Sequence, residues 1–146
     1  MLKSIVGVIV GYLVMMLVAF AAYTAAYLGL GAERAFEPDT YALSAIWIGL
    51  AIVITFIAGL LGGLTCAAIS KSRTTGLVFA LIVFVLSFVF ELPNIMNHTP
   101  KARAGDVANM EAMGKAQPPV WLLFLNPFLG GAAVLMGTRM KKISAV

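Results

Sequence analysis

Apolar and charged positions in this chain fall into long blocks. Four stretches contain no Asp, Glu, Lys, Arg or His: Ser4–Ala32, Thr40–Ser70, Thr74–Phe90 and Ala116–Thr138. A helix crossing the hydrocarbon core of a bilayer needs about 20 mostly apolar residues, with a range of roughly 17–25. The first, second and fourth stretches meet that length. The third sits at its lower limit, where Lys71, Arg73 and Glu91 can snorkel toward the headgroups. The pattern predicts an all-α, four-helix transmembrane bundle, with helices over 4–30, 40–70, 74–92 and 119–138. The whole chain, 1–146, then forms a single integral membrane domain.

The connections follow from the breakers. Lys71-Ser72-Arg73 is so short a turn that the second and third helices must be antiparallel neighbours. Between the first and second helices, Gly31 and Pro38 mark a loop, and Asp39 or Thr40 is placed to cap the second helix. Pro93 disfavours helical geometry at Leu92, so the third helix should end there and a long loop, 93–118, should begin. Within that loop "GDVANMEAMG" predicts a short interfacial helix. Asp106 would cap it, Val107, Met110 and Met113 would share a face, and Gly114 would stop it. A faint internal repeat has an offset of 68: Leu61-Gly62-Gly63 recurs as Leu129-Gly130-Gly131, and Ser70-Lys71 as Thr138-Arg139. Two similar hairpins related by an axis along the membrane normal would produce it.

Composition agrees with the blocks. The chain is 62% hydrophobic and 11% charged, too little polar surface for a soluble domain of this size. The lipid bilayer is therefore its principal partner. Basic residues sit at the edges of apolar runs and form no shared face, which excludes a nucleic-acid-binding stripe. The single cysteine, Cys66, excludes an internal disulfide and reads as a small packing residue. A secretory signal cleaved after Ala21 is disfavoured because apolar residues continue through Leu30.

Charge sets the topology. Lys3, Lys71, Arg73, Arg139, Lys141 and Lys142 fall on one side with no acidic residue, while Arg34, Lys101, Arg103 and Lys115 fall on the other with all six carboxylates. By the positive-inside rule both termini are cytoplasmic, in a bacterial-type inner (cell) membrane. Tyr27, Tyr41, Trp47 and Trp121 then read as an aromatic belt at the outer interface.

Gly7/Gly11, Gly59/Gly63 and Ala133/Gly137 place two small residues on one helical face, the spacing of close helix packing. Asn126-Pro127 interrupts the fourth helix near mid-membrane. Pro127 leaves the Leu123 carbonyl without its usual donor, and the Asn126 amide reads as an interhelical hydrogen bond. The interiors of the spans hold no ionisable residue of the kind that marks proton and ion pathways, and no acid–base pair.

Polar chemistry concentrates instead in "FELPNIMNHTP", residues 90–100, so Glu91, Asn94, His98 and Asn126 form the polar set to watch. Glu91 lies near a helix C-terminus, where the dipole disfavours a negative charge. It is held either by solvent or by Arg34, Lys101 or Arg103. Asn97-His98-Thr99 matches a glycosylation sequon, with Pro100 after it. Met96, His98, Met110 and Met113 share one loop, and thioethers with an imidazole suit Cu(I), a weak pattern for a metal site.

The sequence leads to a non-enzymatic accessory or interaction subunit without a cofactor, working as a homo-oligomer or within a larger membrane complex. Two other classes remain. A small transporter or channel built by oligomerisation would line its cavity with Thr55, Ser87 and Asn126. An outer-face metal handler or enzyme would use Glu91, His98 and the long loop.

Overall fold

The computed structural model describes residues 1–99 and 101–140. Lys141 and Lys142, counted above with the basic side, lie outside them, as does Pro100. The elements are α1 (Leu2–Leu30), α2 (Ala32–Ala35), α3 (Ala45–Ser70), α4 (Arg73–Met96), α5 (Asn109–Lys115) and α6 (Val120–Met140). Four of them, α1, α3, α4 and α6, are long and apolar enough to cross a membrane. Among the described residues there is no strand, only three isolated bridges between loops.

Local chemistry fixes the helix ends. α1 stops at Gly31, whose φ of 72° only glycine adopts without strain, and whose N–H bonds the Tyr27 carbonyl at 2.8 Å. α3 begins at Ala45, several residues later than expected. Ser44, not Asp39 or Thr40, is its cap, with its hydroxyl accepting from the Trp47 N–H at 3.2 Å. Asp39 is instead spent on a turn at φ 57°, and Thr40 bridges to Ala102. At the other end of the bundle, Lys71 takes the left-handed conformation (φ 52°) and Ser72 accepts from Thr75 N–H at 3.4 Å, which reverses the chain into α4.

The expected stop at Leu92 is wrong. α4 continues to Met96, and Asn97 N–H bonds the Pro93 carbonyl at 3.0 Å. Proline removes only its own donor, so the residues after it can close a further turn. α6 likewise runs unbroken through Pro127, which is buried.

Packing follows the internal offset of 68. It lays α1 on α4 and α3 on α6, and correspondingly α1 packs on α3, α4 packs on α6, and α3 and α6 meet at the centre. The seams are made of small residues. A Cβ on Gly11 would lie 2.8 Å from the Gly62 carbonyl oxygen, and one on Gly59 would lie 2.8 Å from the Ala133 Cβ. A Cβ on Gly63 would collide with the Val134 backbone, and one on Gly137 with that of Leu60. Gly7 sits against Cys66 and Ser70, and Gly76 against Thr138. These contacts bring backbones together where lipid offers no hydrophobic drive for helix association.

Two separate cores result. In the half nearer the termini, Cys66, Phe79, Ala80, Val83 and Val134 form a buried cluster, packed by Val8, Tyr12, Met15 and Leu135; all four long helices contribute. The other cluster contains Tyr27, Phe36, Tyr41, Leu43, Trp47, Ala112 and Leu122, and α4 supplies none of it. There α4 meets α6 through rings, Phe84 on Phe128 with centroids at 5.0 Å and Phe88 on Phe124 at 6.2 Å.

Candidate functional site

At the end of the bundle away from the termini, two loops distant in sequence are stitched into one cap. Tyr41 N–H bonds the Lys101 carbonyl at 3.2 Å and Arg103 N–H bonds that of Asp39 at 2.9 Å. Leu43 N–H reaches the Gln117 carbonyl at 3.3 Å, and Gln117 N–H returns to the Tyr41 carbonyl at 2.8 Å. The Gln117 amide closes the long loop on itself, accepting from Lys101 N–H at 2.8 Å and donating to the Thr99 carbonyl.

Arg103 locks the two loops together. Its side chain is 3% exposed, donates to the Thr40 carbonyl at 3.3 Å and to the Gly105 carbonyl, and lies 5.9 Å over the Phe36 ring. It also faces the Glu33 carboxylate at 3.4 Å, but Glu33 is 75% exposed. Water screens that ion pair, so the buried carbonyl bonds account for most of the hold. The cap is tied to the helices by Tyr27, whose hydroxyl donates to the Val107 carbonyl at 2.6 Å, and by Asn109, whose Nδ2 lies 3.1 Å from Thr24 Oγ1. Tyr41 donates to Glu111 at 3.1 Å, and Lys115 bonds the same carboxylate at 2.7 Å while lying 5.5 Å over the Tyr41 ring. Lys115, and then Tyr41, hold the Glu111 carboxyl below the usual glutamate range.

These bonds correct two expectations. Tyr27, Tyr41 and Trp47 do not form a belt facing headgroups; all three are buried, because the cap covers them and supplies partners for the tyrosine hydroxyls. Only Trp121 of that set is exposed. Asp106 does not cap α5, which starts after Ala108 with no side-chain cap, because the preceding residues are pinned by the Tyr27–Val107 bond. Gly114 lies inside α5 rather than ending it, and the buried residue of that helix is Ala112.

Between the cap and the helices lies a cavity of about 220 Å³. Drug-sized sites run to roughly 300–1,000 Å³, so this one fits a small molecule. Its walls are aromatic: Tyr23 and Tyr27 from α1, Trp47 from α3 and Phe36 from the cap. Tyr23 and Tyr27 both pack on Trp47 with centroids at 6.1 Å. The cap closes it with Ala112, Met113 and Ala116, and α6 floors it with Leu122 and Asn126.

Three polar side chains of the lining carry acceptor oxygens. Glu91 lines it from α4, with its carboxylate accepting from Asn94 Nδ2 at 3.2 Å. Asn109 and Asn126 also line it, and the Oδ1 atom of each is buried with no hydrogen-bond partner. A buried, unsatisfied polar atom costs on the order of 1–3 kcal/mol, so two bordering one cavity call for an explanation. The Tyr23 hydroxyl is already engaged, 3.2 Å from Thr55 Oγ1 and 3.4 Å from the Ala51 carbonyl. Among the described residues no Lys, Arg or His lines the cavity.

The structure thus unites part of the polar set marked in the sequence. Glu91 and Asn126 line one cavity and Asn94 bonds Glu91, while His98 is exposed. Among the described residues the Asn126 oxygen finds no interhelical partner, contrary to expectation: it is buried among neighbouring side chains without a donor. All four residues of the methionine–histidine set, Met96, His98, Met110 and Met113, are exposed, and Met113 alone of them also lines the cavity. Among the described residues no group of three His, Cys, Asp or Glu side chains is placed to hold a metal ion. Thr55 reaches the site only through Tyr23, and Ser87 is not among the lining residues.

Sequence reasoning missed Tyr23, Phe36 and Asn109, and it offered Arg103 only as a cation for Glu91, whereas Arg103 bonds Glu33 and the Thr40 and Gly105 carbonyls. The four-residue spacing of Tyr23 and Tyr27, one helical face, was the available signal for the first. Comparison with known proteins finds no matching family model, no matching curated protein and no matching solved structure.

Proposed function

We propose that this protein is a non-enzymatic accessory subunit of a bacterial-type cytoplasmic membrane that binds a small molecule beneath its cap. The observation carrying this reading is the cavity itself: an aromatic chamber beneath an interlocked cap, lined by two asparagines whose amide oxygens have no partner among the described residues. A purely structural bundle has no use for such orphans, and a ligand would satisfy them.

The cap faces outward in this proposal, and both termini are cytoplasmic. Supporting this, Lys3, Lys71, Arg73 and Arg139 gather at one end with no acidic residue, whereas Arg34, Lys101, Arg103 and Lys115 at the cap end stand among all six carboxylates. α5, with Met110 and Lys115 exposed, then rests at the outer interface.

A second reading, a small transporter, draws on Asn126, which brings the cavity floor two turns into α6. Passage would have to part the core below it, where Phe79, Val83, Val134 and Cys66 are fully buried. The binding reading needs no such opening.

The test is to identify small molecules released from the purified protein by mass spectrometry, comparing wild type with Ala116→Phe, which fills the cavity. A compound carried by the wild type and absent from an equally folded variant is expected. Equal recovery from both places the ligand elsewhere and removes the basis of the proposal.

A further inference from the structure

The chemistry of the chamber also selects a class of ligand; this step rests on the binding reading above. Its walls present four aromatic rings, those of Tyr23, Tyr27, Phe36 and Trp47. An aromatic face carries a negative quadrupole that attracts cations, most strongly where water is excluded. One carboxylate, Glu91, stands in the lining, and no basic side chain neutralises it there: Asn94 supplies a neutral donor instead. Glu91 also lies in the last two turns of α4, where the carbonyl end of the helix dipole adds partial negative charge.

The orphaned Oδ1 atoms of Asn109 and Asn126 complete the set, since each needs a donor. A quaternary ammonium would satisfy the rings but leave both amides empty. A neutral alcohol would bring one donor and no charge. A primary ammonium brings three N–H donors and a positive charge in one compact group. The terminal torsion of an asparagine is broad, so either oxygen can turn toward a donor in the chamber at little cost. We infer that the chamber binds a small primary ammonium compound with an apolar body, its charged head near Glu91 and the asparagine amides and its body against the aromatic walls.

Amide oxygen and nitrogen are assigned by their surroundings, and the Thr24 hydroxyl would accept either orientation of Asn109. The ligand class therefore rests first on Glu91, which accepts but does not donate when ionised.

The experiment uses the full-length purified protein in detergent, with n-pentylammonium and the near-isosteric, neutral 1-pentanol as probes. Affinities are measured by calorimetry for wild type, Glu91→Gln and Ala116→Phe, with thermal unfolding confirming that each variant is folded. The wild type should bind the ammonium probe at least about tenfold more tightly than the alcohol, the low end expected of one charge-assisted hydrogen bond. Glu91→Gln should abolish that preference, and Ala116→Phe should abolish binding of both probes. Equal binding of both probes, blocked by Ala116→Phe, would keep the chamber as a ligand site and overturn the cationic class. So would an ammonium preference unchanged in Glu91→Gln. If neither probe binds, the ammonium proposal is likewise overturned, while the binding reading still stands or falls on the compound released by wild type and not by Ala116→Phe.

Discussion

The two halves of the bundle are built on opposite solutions to the same problem. Near the termini, helices approach until backbones touch: Gly63 meets the Val134 backbone, Gly137 that of Leu60, and Gly11 that of Gly62. The buried polar side chains there include only small ones, Thr75 and Thr138, and the cluster around Phe79 is buried. Under the cap, large rings hold the helices apart, α4 drops out of the core, and the space is bridged by hydrogen bonds from loops. Small residues seal the first half, and aromatic residues keep the second hollow. A membrane protein that needed only to fold could have used the first solution throughout, so the second half is where function is to be sought.

The sealed half should be the less forgiving. Gly63→Ala forces a methyl group into the Val134 backbone, and we expect a loss of about 3 kcal/mol, the upper part of the overpacking range. Gly49→Ala, in the same helix with nothing within 4 Å, should cost nothing and gain up to about 1 kcal/mol from helix propensity. Thermal unfolding of the two variants checks the contrast. Equal effects would mean that the α3–α6 seam is not where the bundle is held.

Arg103→Met tests the hollow half. It keeps the apolar stem but removes the donors to Thr40 and Gly105, for an expected local loss of about 2 kcal/mol. Hydrogen exchange should accelerate in the cap amides of Tyr41, Arg103 and Gln117 while those around Phe79 stay protected. Loosening spread evenly over both halves would show that they are one cooperative unit.

A change of the opposite sign is expected at Asn126. Its oxygen has no partner to lose, so Asn126→Leu should stabilise the ligand-free protein by about 1 kcal/mol, read as a raised midpoint in thermal unfolding. An interhelical bond would instead make the substitution destabilising.

The smallest effect concerns pH. Bonding to Lys115 holds the Glu111 carboxyl below its usual range. Its contribution is therefore fully present above the ordinary glutamate range and is lost as pH falls through the lowered value of the folded state. Both side chains are exposed, so the loss should be slight, confined to α5, and absent in Glu111→Gln. Proton titration by NMR of the Lys115 and Ala116 amides reads it directly.

This contrast also explains what the sequence made legible. The four long helices announce themselves because hydrocarbon tolerates few charges over about 20 residues. The glycine pairs were visible by spacing, and their faces do meet neighbouring helices. Glu91, Asn94 and Asn126 stood out as polar groups at the edge of, or within, apolar runs. The cap left no comparable trace. It is made of backbone bonds between residues some 60 apart, such as Tyr41 with Lys101, and such pairing has no periodicity to read. Arg103 looked like one more loop cation because its burial depends on both loops at once. The aromatic residues misled for a related reason. Tyrosine and tryptophan suit a headgroup interface and a capped chamber equally, having an apolar body and one polar tip in either place.

Cysteine labelling with a membrane-impermeant thiol reagent tests the central claim most directly, by comparing native Cys66 in the sealed half with Ala116→Cys in a Cys66→Ala background. In intact cells, position 116 should react from outside and be protected by the chamber's ligand. Cys66, fully buried among four helices, should stay unmodified even after the membrane is permeabilised. Reaction of Cys66 as fast as position 116, or reaction of position 116 only after permeabilisation, would contradict the account of a sealed inner half and a hollow, outward-facing cap.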